Sequence, residues 1–141
     1  MRRQASTRRE RGGATIFMLS MSLVLMLCAG LVVDGGMGIN ARMRVADDAE
    51  QAARAGANAV NIDTLRSGGG LVIDPELAGT YARDFLAARG YDAGQFDVTV
   101  DPTSNAVGVR VRDVSETTML RIIGINQYPV SARATASAAT S

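Results

Sequence analysis

Ala14–Val33 reads ATIFMLSMSLVLMLCAGLVV, twenty residues without a charge, in which only Thr15, Ser20 and Ser22 are weakly polar. At about 1.5 Å per residue, a helix of this length covers the roughly 30 Å hydrocarbon core of a bilayer and satisfies every backbone amide internally. The stretch predicts one transmembrane helix, and it divides the chain into a short tail before it and a larger part after it.

Charge is distributed accordingly. The first 33 residues carry Arg2, Arg3, Arg8, Arg9 and Arg11 against the single acid Glu10, a net +4, whereas residues 34–141 hold ten arginines and thirteen acids, a net −3. Basic residues beside a span stay on the cytoplasmic side, so these five arginines predict a cytoplasmic tail over 1–13, a span over 14–33 and an extracytoplasmic part from Asp34 onward. The tail has no aromatic residue to stack on a base, and no nucleic-acid partner is expected.

Other readings of the span fit less well. A cleaved secretory signal wants a shorter apolar region and small residues at the cut, and Cys28-Ala29-Gly30 is a poor match. Leu25, Met26 and Leu27 before Cys28 do not suit a lipoprotein signal, and Arg8-Arg9 lacks the hydrophobic residues that follow a twin-arginine export signal.

Composition removes several chemistries. The chain has no histidine, so a histidine-dependent triad is excluded. Its one cysteine, Cys28, lies in the apolar run, which leaves no zinc ligand set and no intrachain disulfide. No convergent acid, base and nucleophile stands out, and neither an enzyme, a cofactor, a metal nor a small-molecule substrate is expected.

Past the span, Gly35-Gly36-Met37-Gly38 predicts a loosened, kinked helix, since each glycine costs about 1 kcal/mol relative to alanine. The helix resumes through Val60, with Ile39, Met43, Ala46, Ala53, Ala57 and Val60 as its apolar face and Arg42, Asp47, Gln51, Arg54 and Asn58 as its wet stripe. After a loop at 67–70, Asp74 and Pro75 are start signals for a second helix, with Leu77, Ala78, Tyr81, Ala82, Phe85 and Leu86 on its core face and Gly90 as its stop.

From Phe96 the period falls to two. Phe96, Val98 and Val100 on one strand and Val107, Val109 and Val111 on the next predict a hairpin in which Val100 faces Val107, Val98 faces Val109, Phe96 faces Val111, and Asp97 faces Arg110. Asp97 and Asp101 then read as solvated partners of the arginines opposite rather than as a calcium or catalytic pair. Ser115 is a candidate cap for a short turn closed by Gly124. A third strand follows, with Tyr128, Val130, Ala132, Ala134 and Ala136 facing inward, and residues 137–141 read as a flexible end.

Arg11-Gly12-Gly13 before the span, Asp34-Gly35 at its exit, Asn40-Ala41-Arg42-Met43-Arg44, and then Ala46-Asp47-Asp48-Ala49-Glu50-Gln51-Ala52-Ala53-Arg54-Ala55-Gly56-Ala57 form an ordered series. In that order they resemble the TadE/TadG-like family of Flp (tight adherence) pilus-assembly proteins. The ending, Leu120–Ile125 followed by Val130–Ala136, is similar to the close of its short members. At 141 residues the chain lacks room for the von Willebrand factor A-like domain of longer members.

The resemblance marks Asp34, Gly35, Asp47, Asp48 and Gln51 as motif positions. It implies a non-enzymatic, single-pass component of the cell envelope, a minor pilin (pseudopilin) or assembly accessory whose partners are the membrane and other pilus or secretion subunits. It also raises processing by a prepilin peptidase between Gly13 and Ala14. Prepilins of that type carry glutamate at the fifth mature position, where this chain would place Met18, so an uncut anchor is expected and cleavage is the alternative.

The expected architecture is α+β and pilin-like: the transmembrane helix continues into an alanine-rich amphipathic helix packed on a small three-stranded antiparallel sheet, with the folded domain over 34–136. A membrane-anchored binding or sensor domain, with a ligand cleft between the second helix and the sheet, is the rival expectation.

Overall fold

A single helix, α1 (Thr7–Ala57), runs through both the apolar span and the alanine-rich segment. Its 51 residues make it about 77 Å long. The computed structural model describes the backbone of residues 7–138 and the side chains of 12–138. Arg2 and Arg3 lie outside the described residues, and Arg8, Arg9 and Arg11 fall on the first turns of α1.

Helical structure continues without a break through Gly35–Gly38, so the glycines do not interrupt the helix. The glycines weaken the helix intrinsically, but the folded domain grips α1 on both sides of Gly35 and Gly36, at Asp34 and at Val45, and so keeps the weak turn helical. The upper helix stops at Ala57 rather than Val60, where the chain turns and Val60 forms an isolated antiparallel bridge with Ile73.

The remaining elements are α2 (Ile62–Arg66), α3 (Pro75–Ala88), β1 (Phe96–Asp101), β2 (Ala106–Glu116), a 3₁₀ turn (Leu120–Ile123) and β3 (Gln127–Ser137). Helix α3 starts as its sequence dictates, with the Asp74 carboxylate accepting the backbone amides of Glu76 and Leu77 ahead of Pro75. It stops at Gly90, which takes a φ of 90° that an L-residue resists.

The sheet order is β1-β2-β3, antiparallel throughout. Its hairpin register is the one the valine alternation requires, with Phe96 opposite Val111, Val98 opposite Val109 and Val100 opposite Val107. Any one-residue slip would turn these side chains to water. The wet face carries Asp97, Thr99, Arg110, Arg112, Arg133 and Thr135. β3 continues through Ser137, and the Ala138 amide donates to the Asn105 carbonyl.

One face of the sheet packs on α1, with α3 beside it against β1. Val45, Ala49, Ala52 and Ala53 of α1, Ala78, Ala82 and Leu86 of α3, Val107, Val109 and Val111 of β2, and Val130 of β3 form the core. Alanine dominates the helical side because backbones approach closely there: a Cβ added to Gly56 would come within 2.9 Å of the Ala78 carbonyl oxygen and of Val107.

The buried stripe of α1 is rotated from the expected one. Ala53 and Ala57 are buried, but Ile39, Met43 and Ala46 are exposed and Val45, Ala49 and Ala52 take the core positions. Small residues fit under the sheet, and the larger Ile39 and Met43 are left on the far side. On α3, Phe85 packs against the core, whereas Leu77 and Tyr81 face outward, Tyr81 being 44% exposed. Ala78 takes the close contact with α1, its carbonyl oxygen lying 2.9 Å from where a Cβ on Gly56 would stand.

Candidate functional site: the junction of helix and folded domain

Asp34 is the first charged residue after the apolar run, and it is only 2% exposed. Its Oδ1 accepts the backbone amides of Thr118 (2.9 Å) and Met119 (3.1 Å), and its Oδ2 accepts those of Met119 (2.9 Å) and Leu120 (2.6 Å). Three consecutive donors thus converge on one carboxylate, which caps the 3₁₀ turn from a distant part of the chain. Met119, at the turn's own cap position, provides no side-chain hydrogen bond. Ser115, the cap expected from sequence, is buried in β2 instead, and Gly124 closes the turn as expected with a φ of 88°.

One turn of α1 on either side of Asp34 stands a glycine with a side chain laid over it. A Cβ on Gly30 would come within 2.6 Å of Met119 Cγ, and a Cβ on Gly38 would land on the Tyr128 hydroxyl. Gly30, Asp34 and Gly38 are spaced by four and share one face of the helix. That spacing is the signal in the sequence that could have located the junction; the 3₁₀ turn and Tyr128 carry no comparable mark.

Farther along α1, Asp48 is a second buried anchor. Its Oδ2 accepts the Tyr91 hydroxyl at 2.9 Å, and its Oδ1 pairs with Arg89 Nε at 3.2 Å. Burial, reinforced by the hydrogen bond and charge of Asp48, pushes the Tyr91 phenol up to about 12. Arg44 pairs with Asp113 at 2.9 Å nearby, so the small polar recess between α1, the end of α3 and β2 balances its charges.

The motif positions therefore divide. Asp34 and Asp48 join the helix to the folded domain, while Asp47, Gln51 and Gly35 lie on its exposed side. Gly13 and Ala14 are exposed within continuous helix. Cys28 is exposed and lines an apolar groove with Leu27, Leu31, Met119, Leu120 and Ile123.

On the sheet, Asp97 sits opposite Arg110 but pairs with Arg112. Asp101 has a different role from the expected one: it accepts the Ser104 hydroxyl at 2.7 Å and the Thr103 amide at 2.9 Å, holding the hairpin turn rather than an arginine. The Ser104 hydroxyl, followed by the Thr103 amide, keeps its carboxyl below the usual range. Between α3 and the sheet, the space a ligand cleft would need is filled by Ala78, Ala82 and Leu86 packed in the common core.

Searches of curated proteins and of solved structures each find no match to the chain. The family model for Flp pilus-assembly TadE/G-like proteins matches residues 12–59. The matched region is the described apolar helix and its alanine-rich continuation, including Gly30, Asp34, Gly38 and Asp48, and it ends before α3 and the sheet. Over its N-terminal helix, the chain is similar to the TadE/G-like Flp pilus-assembly family.

Proposed function

We propose that this chain is a membrane-anchored, non-enzymatic component of a Tad/Flp-type pilus or secretion apparatus, a minor pilin or assembly accessory that works through helix packing and protein contacts. The observation that carries the proposal is where the match falls: it covers the helix that is long and apolar enough to cross a membrane, together with the residues that fasten the folded domain to it. The arginines before the span keep the N-terminus cytoplasmic and direct the folded domain outward.

In this reading α1 works as a rod. Asp34 and Asp48 tie it to the folded domain at two points 14 residues, or about 21 Å, apart, so a sideways or axial movement of the helix carries the domain with it. Residues 16–27 offer apolar surface to neighbouring helices in the bilayer, and Ile39 and Met43, 65% and 59% exposed, continue an apolar strip just above it.

The test is made in the native cells. Deleting the gene is expected to abolish or sharply reduce surface pili, and photo-crosslinking residues placed at Ile39 and Met43 are expected to capture another subunit of the apparatus. Normal piliation in the deletion strain, with no pilus component captured, would sink the proposal.

A further inference from the structure

The 3₁₀ turn carries a patch of exposed apolar side chains on a part of the domain that rests against the apolar span. Ile122 is 74% and Ile123 65% exposed, and Met119 and Ile125 also reach the surface. Met119 lies over Gly30, and Leu120 and Ile123 share a groove with Leu27, Cys28 and Leu31. These helix residues belong to the uncharged run 14–33. The turn is therefore level with the last two turns of that run, up to about 9 Å below Val33 along the helix axis. If the run fills a bilayer, water cannot surround the turn.

We propose that Met119–Ile125 dips into the outer leaflet beside α1 and is covered there by lipid acyl chains, with Arg121 extending to the headgroup phosphates. The inference rests on the reading of residues 14–33 as membrane-spanning. Lipid is the occupant because the patch is continuous with the helix surface that lipid already covers in that reading, and because its one charge sits on a long side chain able to reach the interface.

Backbone chemistry supports the same placement. A turn entering an apolar phase is favoured by amides that are bonded within the protein. Asp34 accepts the Thr118, Met119 and Leu120 amides, and Ile122, Gly124 and Ile125 donate to the carbonyls of Met119, Arg121 and Leu120. The buried Asp34 cap thus becomes intelligible as the device that lets the start of the turn leave water, at the level where the apolar run ends.

The chain has no tryptophan, so single reporters can be introduced into the full-length protein in vesicles. Ile122→Trp is the probe, Ile125→Trp repeats it at the other end of the turn, Leu25→Trp reports the span, and Thr103→Trp reports the distant hairpin turn. With lipids brominated high on the acyl chain, I122W and I125W are expected to lose emission and to resist aqueous iodide, while T103W does the reverse. Quenching of L25W by lipids brominated deep in the chain, with I122W and I125W answering only to iodide, overturns the inference and leaves the span intact. The same holds if a co-purified protein subunit, rather than lipid, shields them. An L25W unaffected by brominated lipid removes the span itself and the inference with it.

Discussion

Asp34 and Asp48 are both buried carboxylates on one helix, but they hold different partners. Asp34 gathers three backbone amides that belong to a 3₁₀ turn more than eighty residues away. Its replacement, Asp34→Ala, strands those donors away from water, and a lower melting temperature of the purified protein in detergent is expected; Asp47→Ala, at an exposed position, is expected to leave it unchanged. At Asp48 the partner is a phenol. Tyr91→Phe removes a hydrogen bond to a buried carboxylate and is expected to cost about 1–2 kcal/mol in chemical denaturation. The same pair imposes a pH dependence. The folded-state value of Tyr91 lies near 12, above its ordinary value of 10.0, so its contribution is complete below pH 10 and is lost as pH rises from there through 12. The melting temperature of the parent protein should fall over that window by more than that of Y91F.

At the scale of the element, the glycines of α1 have separate roles. Nothing lies within 4 Å of a Cβ built on Gly35 or Gly36, whereas Gly38 has the Tyr128 ring against it. Gly35→Ala and Gly36→Ala are therefore expected to stabilise the helix by up to about 1 kcal/mol each. Gly38→Ala is expected to destabilise the protein by about 1–3 kcal/mol, because the rigid ring must move, and Tyr128→Ala in the same chain should relieve much of that loss. Thermal melts of the four proteins decide it. The hairpin belongs to this scale too: its register follows from six alternating apolar residues, and the structure keeps all four predicted facing pairs. The neighbouring turn was less legible, since Asp101 was free in sequence to choose between an arginine across the strands and the Ser104 hydroxyl beside it, and the local partner won.

For the whole molecule, the decisive property is that the membrane-length apolar run and the folded domain share one uninterrupted helix. In the proposed membrane-spanning reading, orientation of that helix fixes on which side the domain lies. With Cys28 changed to alanine and Thr103→Cys introduced in the exposed β1–β2 turn, a membrane-impermeant maleimide is expected to label spheroplasts from outside. Labelling only after permeabilisation would invert the topology and defeat an outward-facing role in a pilus.

The sequence by itself determined the elements whose information is local. A run of twenty uncharged residues specifies a membrane-length helix, a period of two in valines specifies a hairpin and its register, and Asp74-Pro75 specifies where α3 begins. Tertiary structure decided what depends on residues far apart in the chain. It kept α1 helical through four residues rich in glycine, turned Val45 and the small residues rather than Ile39 and Met43 toward the sheet, and gave the 3₁₀ turn its cap from Asp34 instead of Ser115. The physical reason is common to all three. A helix face, a glycine-rich segment and an unbonded amide each have several locally acceptable solutions, and only the close approach of a distant surface makes one of them lower in free energy than the rest.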